Sequence, residues 1–99
     1  MIHVIAILTA KPGKRGDLLK LFKSIIPTVL KEDGCIEYGP VFDVAGADPA
    51  FGPDTYVVVE KWRDMPALKA HAAAPHMKEF GAKAGEFIAA RAVHVLEAA

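Results

Sequence analysis

The stretch Thr55-Tyr56-Val57-Val58-Val59-Glu60-Lys61-Trp62-Arg63-Asp64-Met65-Pro66 decides the fold of this chain, because an apolar run leads directly into a helix start. Its first eight residues are rich in β-branched and aromatic side chains, which are typical of a strand. Asp64 can cap a helix, and Pro66 fits a first helical turn, where its missing N–H costs little. We therefore predict a strand over 55–62 and a short helix that continues to about residue 73.

Hydrophobic periodicity predicts the other elements of the chain. Apolar residues that recur every three or four positions indicate an amphipathic helix between Lys14 and Lys31, and Pro27 inside it predicts a bend or a break. Gly34 is expected to end that segment. The remaining predicted elements, in chain order, are a strand over 2–9, a strand over 35–44, a loop over 45–54, a helix that begins at Pro75 and a strand over 91–97.

This order of elements predicts an α+β fold. Strand, helix, strand, strand, helices and strand follow one another in the split βαβ plan of a ferredoxin-like protomer, which is a four-stranded antiparallel sheet with helices on one face. The strands over 35–44 and 55–62 are expected to pair antiparallel. A chain of 99 residues is long enough for one core, so we predict a single domain over residues 1–99.

The second face of the predicted sheet is also apolar. In the first strand Ile2, Val4 and Leu8 alternate with Ile5 and Ile7, so aliphatic side chains point from both faces. Helices can cover only one of these faces. Because a second copy of the same sheet would remove the other face from water, we predict a homodimer.

Charge and composition disfavour several classes of partner. Twelve basic residues balance twelve acidic ones, so the chain lacks the positive charge that binding to nucleic acid or to an anionic membrane requires. No apolar run approaches the roughly 20 residues of a membrane-spanning helix. Cys35 is the only cysteine, and the chain starts with a strand-like run instead of a signal segment, so we expect a cytoplasmic protein without an intrachain disulfide.

Several short segments together carry a family resemblance. They are Val4-Ile5-Ala6-Ile7-Leu8, Lys11-Pro12-Gly13-Lys14, Asp33-Gly34-Cys35-Ile36-Glu37-Tyr38, Glu60-Lys61-Trp62-Arg63-Asp64, Ala67-Leu68-Lys69-Ala70-His71 and Pro75-His76-Met77-Lys78. As an ordered set they resemble the antibiotic biosynthesis monooxygenase family over roughly residues 3–95. The resemblance implies a dimeric α+β barrel, with a pocket in each subunit between the sheet and its helices.

The activity that the resemblance implies is less specific than the fold. Some members of the family oxygenate quinols and polycyclic aromatic compounds without a metal, flavin or haem, whereas others degrade haem, isomerise small metabolites or have no known activity. The haem-degrading branch is disfavoured, because Ala6 replaces its Asn, and Phe80 and Gly81 stand about where its axial His would be. We therefore predict a monooxygenase without cofactors that oxidises a small quinol, phenol or polycyclic aromatic compound with dioxygen.

The resemblance also suggests the residues of the site. Trp62 matches the tryptophan at the family's strand end, and His71 and His76 match the helical pair of members that resemble quinol monooxygenases. We predict His71 as the catalytic base, with His76 orienting or replacing it. Trp62 would stack on a planar substrate, Tyr38 could donate a hydrogen bond to a substrate oxygen, and Phe80 completes the predicted substrate-binding set.

The residue pattern leaves some roles open. Five residues apart, the two histidines would not share a face of an unbroken helix, and the break at Pro75 leaves their relation undetermined, so one of them could be a surface residue. Trp62 could instead be a core ring. Glu60 is either a pocket carboxylate with a raised pKa or, as we favour, half of an ion pair across the dimer.

No metal site is predicted, because the four histidines show neither a His-x-His spacing nor a pairing with carboxylates at ligand spacing. Two functions other than oxygenation also agree with the sequence. One is an isomerase that uses the same histidine base to move a proton within a small carbonyl metabolite. The other is a non-catalytic, ligand-binding dimer whose pocket is filled by its own side chains.

Overall fold

The structure, a computed structural model, describes all 99 residues. Its elements follow the predicted order. They are β1 (Ile2–Ala10), α1 (Arg15–Leu30), β2 (Cys35–Val41), β3 (Thr55–Trp62), α2 (Met65–Ala73), α3 (Pro75–Ala84) and β4 (Ile88–Glu97). None of the three helices combines the length and the apolar character that crossing a membrane would need.

The four strands form one antiparallel sheet in the order β2-β3-β1-β4. β1 is a central strand, and its Val4 lies opposite Glu60 of β3 on one side and opposite Val95 of β4 on the other. β2 pairs antiparallel with β3, as predicted. With its helices packed on one face, this sheet confirms the ferredoxin-like α+β fold.

The junction between β3 and α2 forms as its sequence predicts. The Asp64 carboxylate accepts a hydrogen bond from the Ala67 amide at 2.9 Å, which satisfies one of the N–H groups left free in the first helical turn. Pro66 lies in that turn. Ala74 has an extended backbone and separates α2 from α3, so Pro75 begins a new helix as expected.

The first helix does not break at its proline, although a break or a bend was predicted. α1 continues through Pro27 to Leu30. The carbonyl that loses its hydrogen-bond donor belongs to Lys23, and Lys23 and Pro27 both lie on the exposed side of the helix, where water can reach them.

Two strand ends also differ from the prediction. β2 stops at Val41 instead of residue 44, because the Asp43 carboxylate accepts hydrogen bonds from the amides of Phe51 (3.1 Å) and Gly52 (2.9 Å) and thereby holds the loop that follows. β4 begins three residues early, at Ile88 instead of residue 91, because it pairs with the end of β1 up to Ala10.

The core lies between the helices and one face of the sheet. On that face Val4, Ala6 and Leu8 of β1 are buried, while their neighbours in sequence on the other face are partly exposed. The residues of β3 and α1 that join them in the core are Tyr56, Val58, Trp62, Leu18, Phe22 and Val29. Glu60 belongs to the same face of β3, so a carboxylate lies among these apolar side chains.

The other face of the sheet remains uncovered by helices. Ile5, Ile7 and Val59 are partly exposed there, and Leu96 of β4 is half exposed. This is the surface for which the sequence predicts a second copy of the chain. The homodimer stays a prediction.

Candidate active site

A cavity of about 230 Å³ lies between the helix-facing side of the sheet and the three helices. Most of its wall is apolar, with contributions from β1, β3, β4 and each helix. The polar side chains in the wall are Tyr38, Glu60, His71 and Arg91. An apolar cavity with a few polar groups is the usual form of a site for a small organic ligand.

The His71 imidazole is fixed by a carboxylate that lies outside the cavity wall. Nδ1 of His71 is 2.8 Å from Oε2 of Glu32, which belongs to the turn between α1 and β2. A carboxylate accepts hydrogen bonds and cannot donate them, so Nδ1 carries the proton in this pair. In the neutral imidazole Nε2 of His71 is then the unprotonated nitrogen, and it has no hydrogen-bond partner within the chain. A proton acceptor is therefore available at the cavity wall.

His76 reaches the same carboxylate but not the cavity. Its Nε2 lies 2.8 Å from Oε2 of Glu32, and its side chain is 27% exposed. The structure thus brings both predicted histidines together through Glu32, while only His71 lines the cavity. This placement favours His71 as the base and leaves His76 beside the carboxylate that holds it.

Trp62 packs behind the site, although it was predicted to stack on the substrate. The indole is fully buried and is not part of the cavity wall. Its ring centroid lies 4.6 Å from that of His71, at an interplanar angle of 36°. Its Nε1 donates a hydrogen bond to Oε1 of Glu60 at 2.9 Å. Trp62 is the last residue of β3 and lies beyond the cavity. Through these two contacts it positions His71 and Glu60.

Glu60 is a cavity carboxylate and makes no ion pair within the chain. Only 6% of the residue is exposed, and the one hydrogen bond of its side chain comes from Trp62. Burial raises the pKa of the Glu60 carboxyl, while the Trp62 hydrogen bond and the nearby His71 partly oppose that rise. These observations support the reading of Glu60 as a pocket carboxylate with a raised pKa. The ion pair across the dimer, which we favoured, involves a second copy of the chain and stays a prediction.

Aromatic rings form one side of the cavity. Tyr38 stacks on Phe22 with 5.3 Å between ring centroids, and its edge meets His71 at 5.4 Å. Phe80 packs edge-on against Phe22 at 6.0 Å, and all three rings line the cavity. Burial raises the pKa of the Tyr38 hydroxyl, with a smaller contribution from Glu60, so the phenol stays protonated and able to donate.

Sequence reasoning missed Glu32 as a site residue. It lies 39 and 44 residues from its two histidine partners, and no local spacing signals that contact. The other two histidines, His3 and His94, are not part of the cavity wall. Glu32, His71 and His76 are also the one group in the structure whose ligand atoms could hold a metal ion together.

Comparison with known proteins agrees with the fold and identifies the family of the chain. Residues 1–83 match the family described as antibiotic biosynthesis monooxygenase. A protein of Escherichia coli K12 named "Probable quinol monooxygenase YgiN" is 40% identical over 84 residues, which cover 81% of each chain. Among solved structures, a conserved protein from Methanosarcina mazei Go1 has 29% identity and a TM-score of 0.83, covering 96% of this chain and 89% of that one. Rv0793 from Mycobacterium tuberculosis has the same identity and TM-score, with coverage of 99% and 94%.

Proposed function

Because this chain belongs to the antibiotic biosynthesis monooxygenase family, we propose that it is a monooxygenase that oxidises a small quinol or related phenol with dioxygen, without a metal or flavin. Its similarity to YgiN, a protein named for quinol oxygenation, supports this class of substrate. The observation that carries the proposal is the His71 imidazole, which borders an apolar cavity while Glu32 holds its Nδ1 at 2.8 Å.

The proposed reaction begins with proton removal. Nε2 of His71 takes a hydroxyl proton from the quinol, and the electron-rich quinolate transfers one electron to dioxygen. The resulting semiquinone radical and superoxide combine to form a carbon–oxygen bond. The His71 imidazolium returns its proton to the peroxide. Loss of the ring C–H proton together with hydroxide, as the oxygen–oxygen bond breaks, leaves a hydroxyquinone and water. One oxygen atom enters the product and the other becomes water, so the quinol supplies all the electrons.

The other wall residues have supporting roles in this proposal. The Tyr38 hydroxyl donates a hydrogen bond to a substrate oxygen, while Phe80 and Phe22 contact the aromatic ring of the substrate. The apolar wall keeps water away from the radical pair and the peroxide. Trp62 supports the imidazole from behind, and His76 acts on it through Glu32.

Oxygen uptake with a panel of quinols and phenols tests the proposal. We expect turnover that stops under anaerobic conditions and incorporates one atom of labelled dioxygen into the product. His71→Ala is expected to abolish most of this activity. Glu79→Gln is the control, because the Glu79 side chain is exposed, pairs with Lys83 along α3 and lies outside the cavity wall. Turnover that persists without dioxygen would remove the proposal.

A second candidate is an isomerase of a small carbonyl metabolite. The observation in its favour is that Glu60, a carboxyl whose pKa is raised by burial, borders the same cavity as His71. One group could remove a proton from carbon while the other returns a proton at a different position. Exchange of substrate C–H for deuterium without oxygen consumption would favour this function over oxygenation. A non-catalytic module is less favoured, because the cavity is open and not filled by side chains.

We also propose that two copies of the chain pair through the uncovered face of the sheet. The partly exposed Ile5, Ile7 and Val59 support this arrangement, since their burial against a second sheet would remove aliphatic surface from water. Sedimentation equilibrium at micromolar concentration tests it. A mass of one chain would contradict it, and an Ile7→Lys variant should shift a dimer toward monomers.

A further inference from the structure

We propose that Glu32, His71 and His76 form a binding site for a divalent cation such as Zn²⁺, and that a cation bound there inactivates the His71 base. One ligand atom from each side chain lies within 4.8 Å of the other two. The three residues come from the turn after α1, from α2 and from the first turn of α3. The site shares His71 with the proposed reaction, which uses no metal, so the inactivation rests on that proposed function while the binding of the cation does not.

A zinc ion would fit between these three side chains after a small rearrangement. Zn²⁺ is bound by His nitrogen at about 2.0–2.1 Å and by carboxylate oxygen at about 2.0–2.2 Å in a tetrahedral arrangement, so neighbouring ligand atoms are about 3.3 Å apart. In the structure Oε2 of Glu32 is 2.8 Å from the bonded nitrogen of each histidine. The two nitrogens are as much as 4.8 Å apart. To admit the ion, each contact to Glu32 must lengthen by about 0.5 Å, and the two nitrogens must approach each other by about 1.5 Å. His76 can make most of that movement, because its side chain is partly exposed at the start of α3.

The kind and the exposure of the ligands also fit such an ion. Two imidazoles and one carboxylate are a ligand set that zinc uses when a fourth position is left for water. The His76 side chain is 27% exposed and that of Glu32 is 14% exposed, so an ion can reach them from solvent. The positive charge of Arg63 is close to the site, because Arg63 and Glu32 line one surface depression. The Arg63 guanidinium is already paired with Asp33 through two contacts of 3.0 Å.

Metal binding at this position would change the protonation of Nε2 of His71. A neutral imidazole carries one proton, and a metal ion at Nδ1 of His71 forces that proton onto Nε2. Nε2 then donates a hydrogen bond and can no longer accept a proton from a substrate. The ion also takes the Glu32 oxygen that His71 otherwise contacts. A cation bound behind the imidazole therefore blocks the base without entering the cavity.

The only tryptophan of the chain provides a direct test, because the Trp62 ring lies 4.6 Å from His71. Untagged, chelator-treated protein is titrated with Co²⁺, which quenches nearby fluorescence, and then with Zn²⁺, which does not. We expect saturable quenching with one Co²⁺ per chain and recovery of the fluorescence as Zn²⁺ displaces Co²⁺. His76→Ala and Glu32→Gln should each raise the apparent Kd for Co²⁺ at least tenfold. Glu79→Gln, which changes an exposed carboxylate paired with Lys83, should leave the Kd unchanged.

Each outcome decides a defined part of the proposal. Quenching that is equally tight in His76→Ala and Glu32→Gln, both folded by circular dichroism, overturns the site. Loss of quenching in Glu79→Gln overturns it as well. If Zn²⁺ binds but oxygen uptake by the wild-type protein is unchanged at saturating Zn²⁺, the inactivation of the base is wrong. The cobalt titration needs no substrate, so it decides the site even if the proposed monooxygenase activity fails.

Discussion

Replacement of Glu32 by alanine tests whether His71 depends on its carboxylate partner. Oε2 of Glu32 accepts a hydrogen bond of 2.8 Å from His71. When His71 takes a proton from the substrate, an imidazolium forms, and the carboxylate stabilises its positive charge. Hydrogen bonds to charged groups contribute about 1.5–3 kcal/mol, and about 1.4 kcal/mol is a factor of ten in rate. We therefore expect kcat/KM to fall about 10- to 150-fold in Glu32→Ala.

The assay is steady-state oxygen uptake, combined with ¹⁵N NMR of the imidazoles. In the wild-type protein the NMR spectrum should show the proton of His71 on Nδ1, and in Glu32→Ala it should show a mixture of both tautomers. Asp33→Ala is the matched control, because it removes a neighbouring carboxylate that pairs with Arg63 and not with His71. Urea unfolding of both variants separates a catalytic effect from a loss of stability. An unchanged kcat/KM in folded Glu32→Ala, or an equal loss in Asp33→Ala, would refute the reasoning.

Three further predictions concern stability. The Tyr56 hydroxyl is buried without a hydrogen-bond partner, so Tyr56→Phe should stabilise the protein by about 1 kcal/mol and raise Tm by about 4–8 °C; an unchanged or lower Tm would contradict this. The pKa of Glu60 is raised, so the folded state favours its protonated form and loses stability as pH rises through that pKa. Glu60→Gln should therefore increase the free energy of urea unfolding at pH 8 and lose that advantage below the ordinary carboxyl pKa, and a gain independent of pH would count against it. Gly34 has a φ of +83°, and an added Cβ would lie 2.6 Å from the Cβ of Ala67, so Gly34→Ala should lower the free energy of unfolding by about 2 kcal/mol or more. Gly46 has a similar φ of +80° but open space around it, so Gly46→Ala should lower it by about 1 kcal/mol.

The fold could be predicted because its signals are local. Strand β3 and the start of α2 follow from side chains adjacent in sequence, and the Asp64 cap needs only the three residues after it. The errors occur where a more distant group decides. The end of β2 depends on the Asp43 carboxylate binding amides eight and nine residues later. The early start of β4 depends on pairing with Ala10, at the far end of the chain.

The candidate site could be predicted only in part for the same reason. His71, Tyr38 and Phe80 line the cavity, as the family resemblance suggested. The same resemblance suggested Trp62 as a substrate platform, but the ring is buried next to His71 and outside the cavity wall. No local pattern shows how far along a strand a cavity extends. Glu32 belongs to a turn, where no periodicity indicates the direction of a side chain.

A crystal structure with a bound hydroxyquinone tests most directly whether His71 is the base of this cavity. The account predicts a ligand oxygen within about 2.6–3.2 Å of Nε2 of His71, with Nδ1 still paired to Glu32 and the ligand ring against Phe80. A ligand bound elsewhere on the protein, or a His71 ring whose Nε2 points to Glu32 instead, would contradict it.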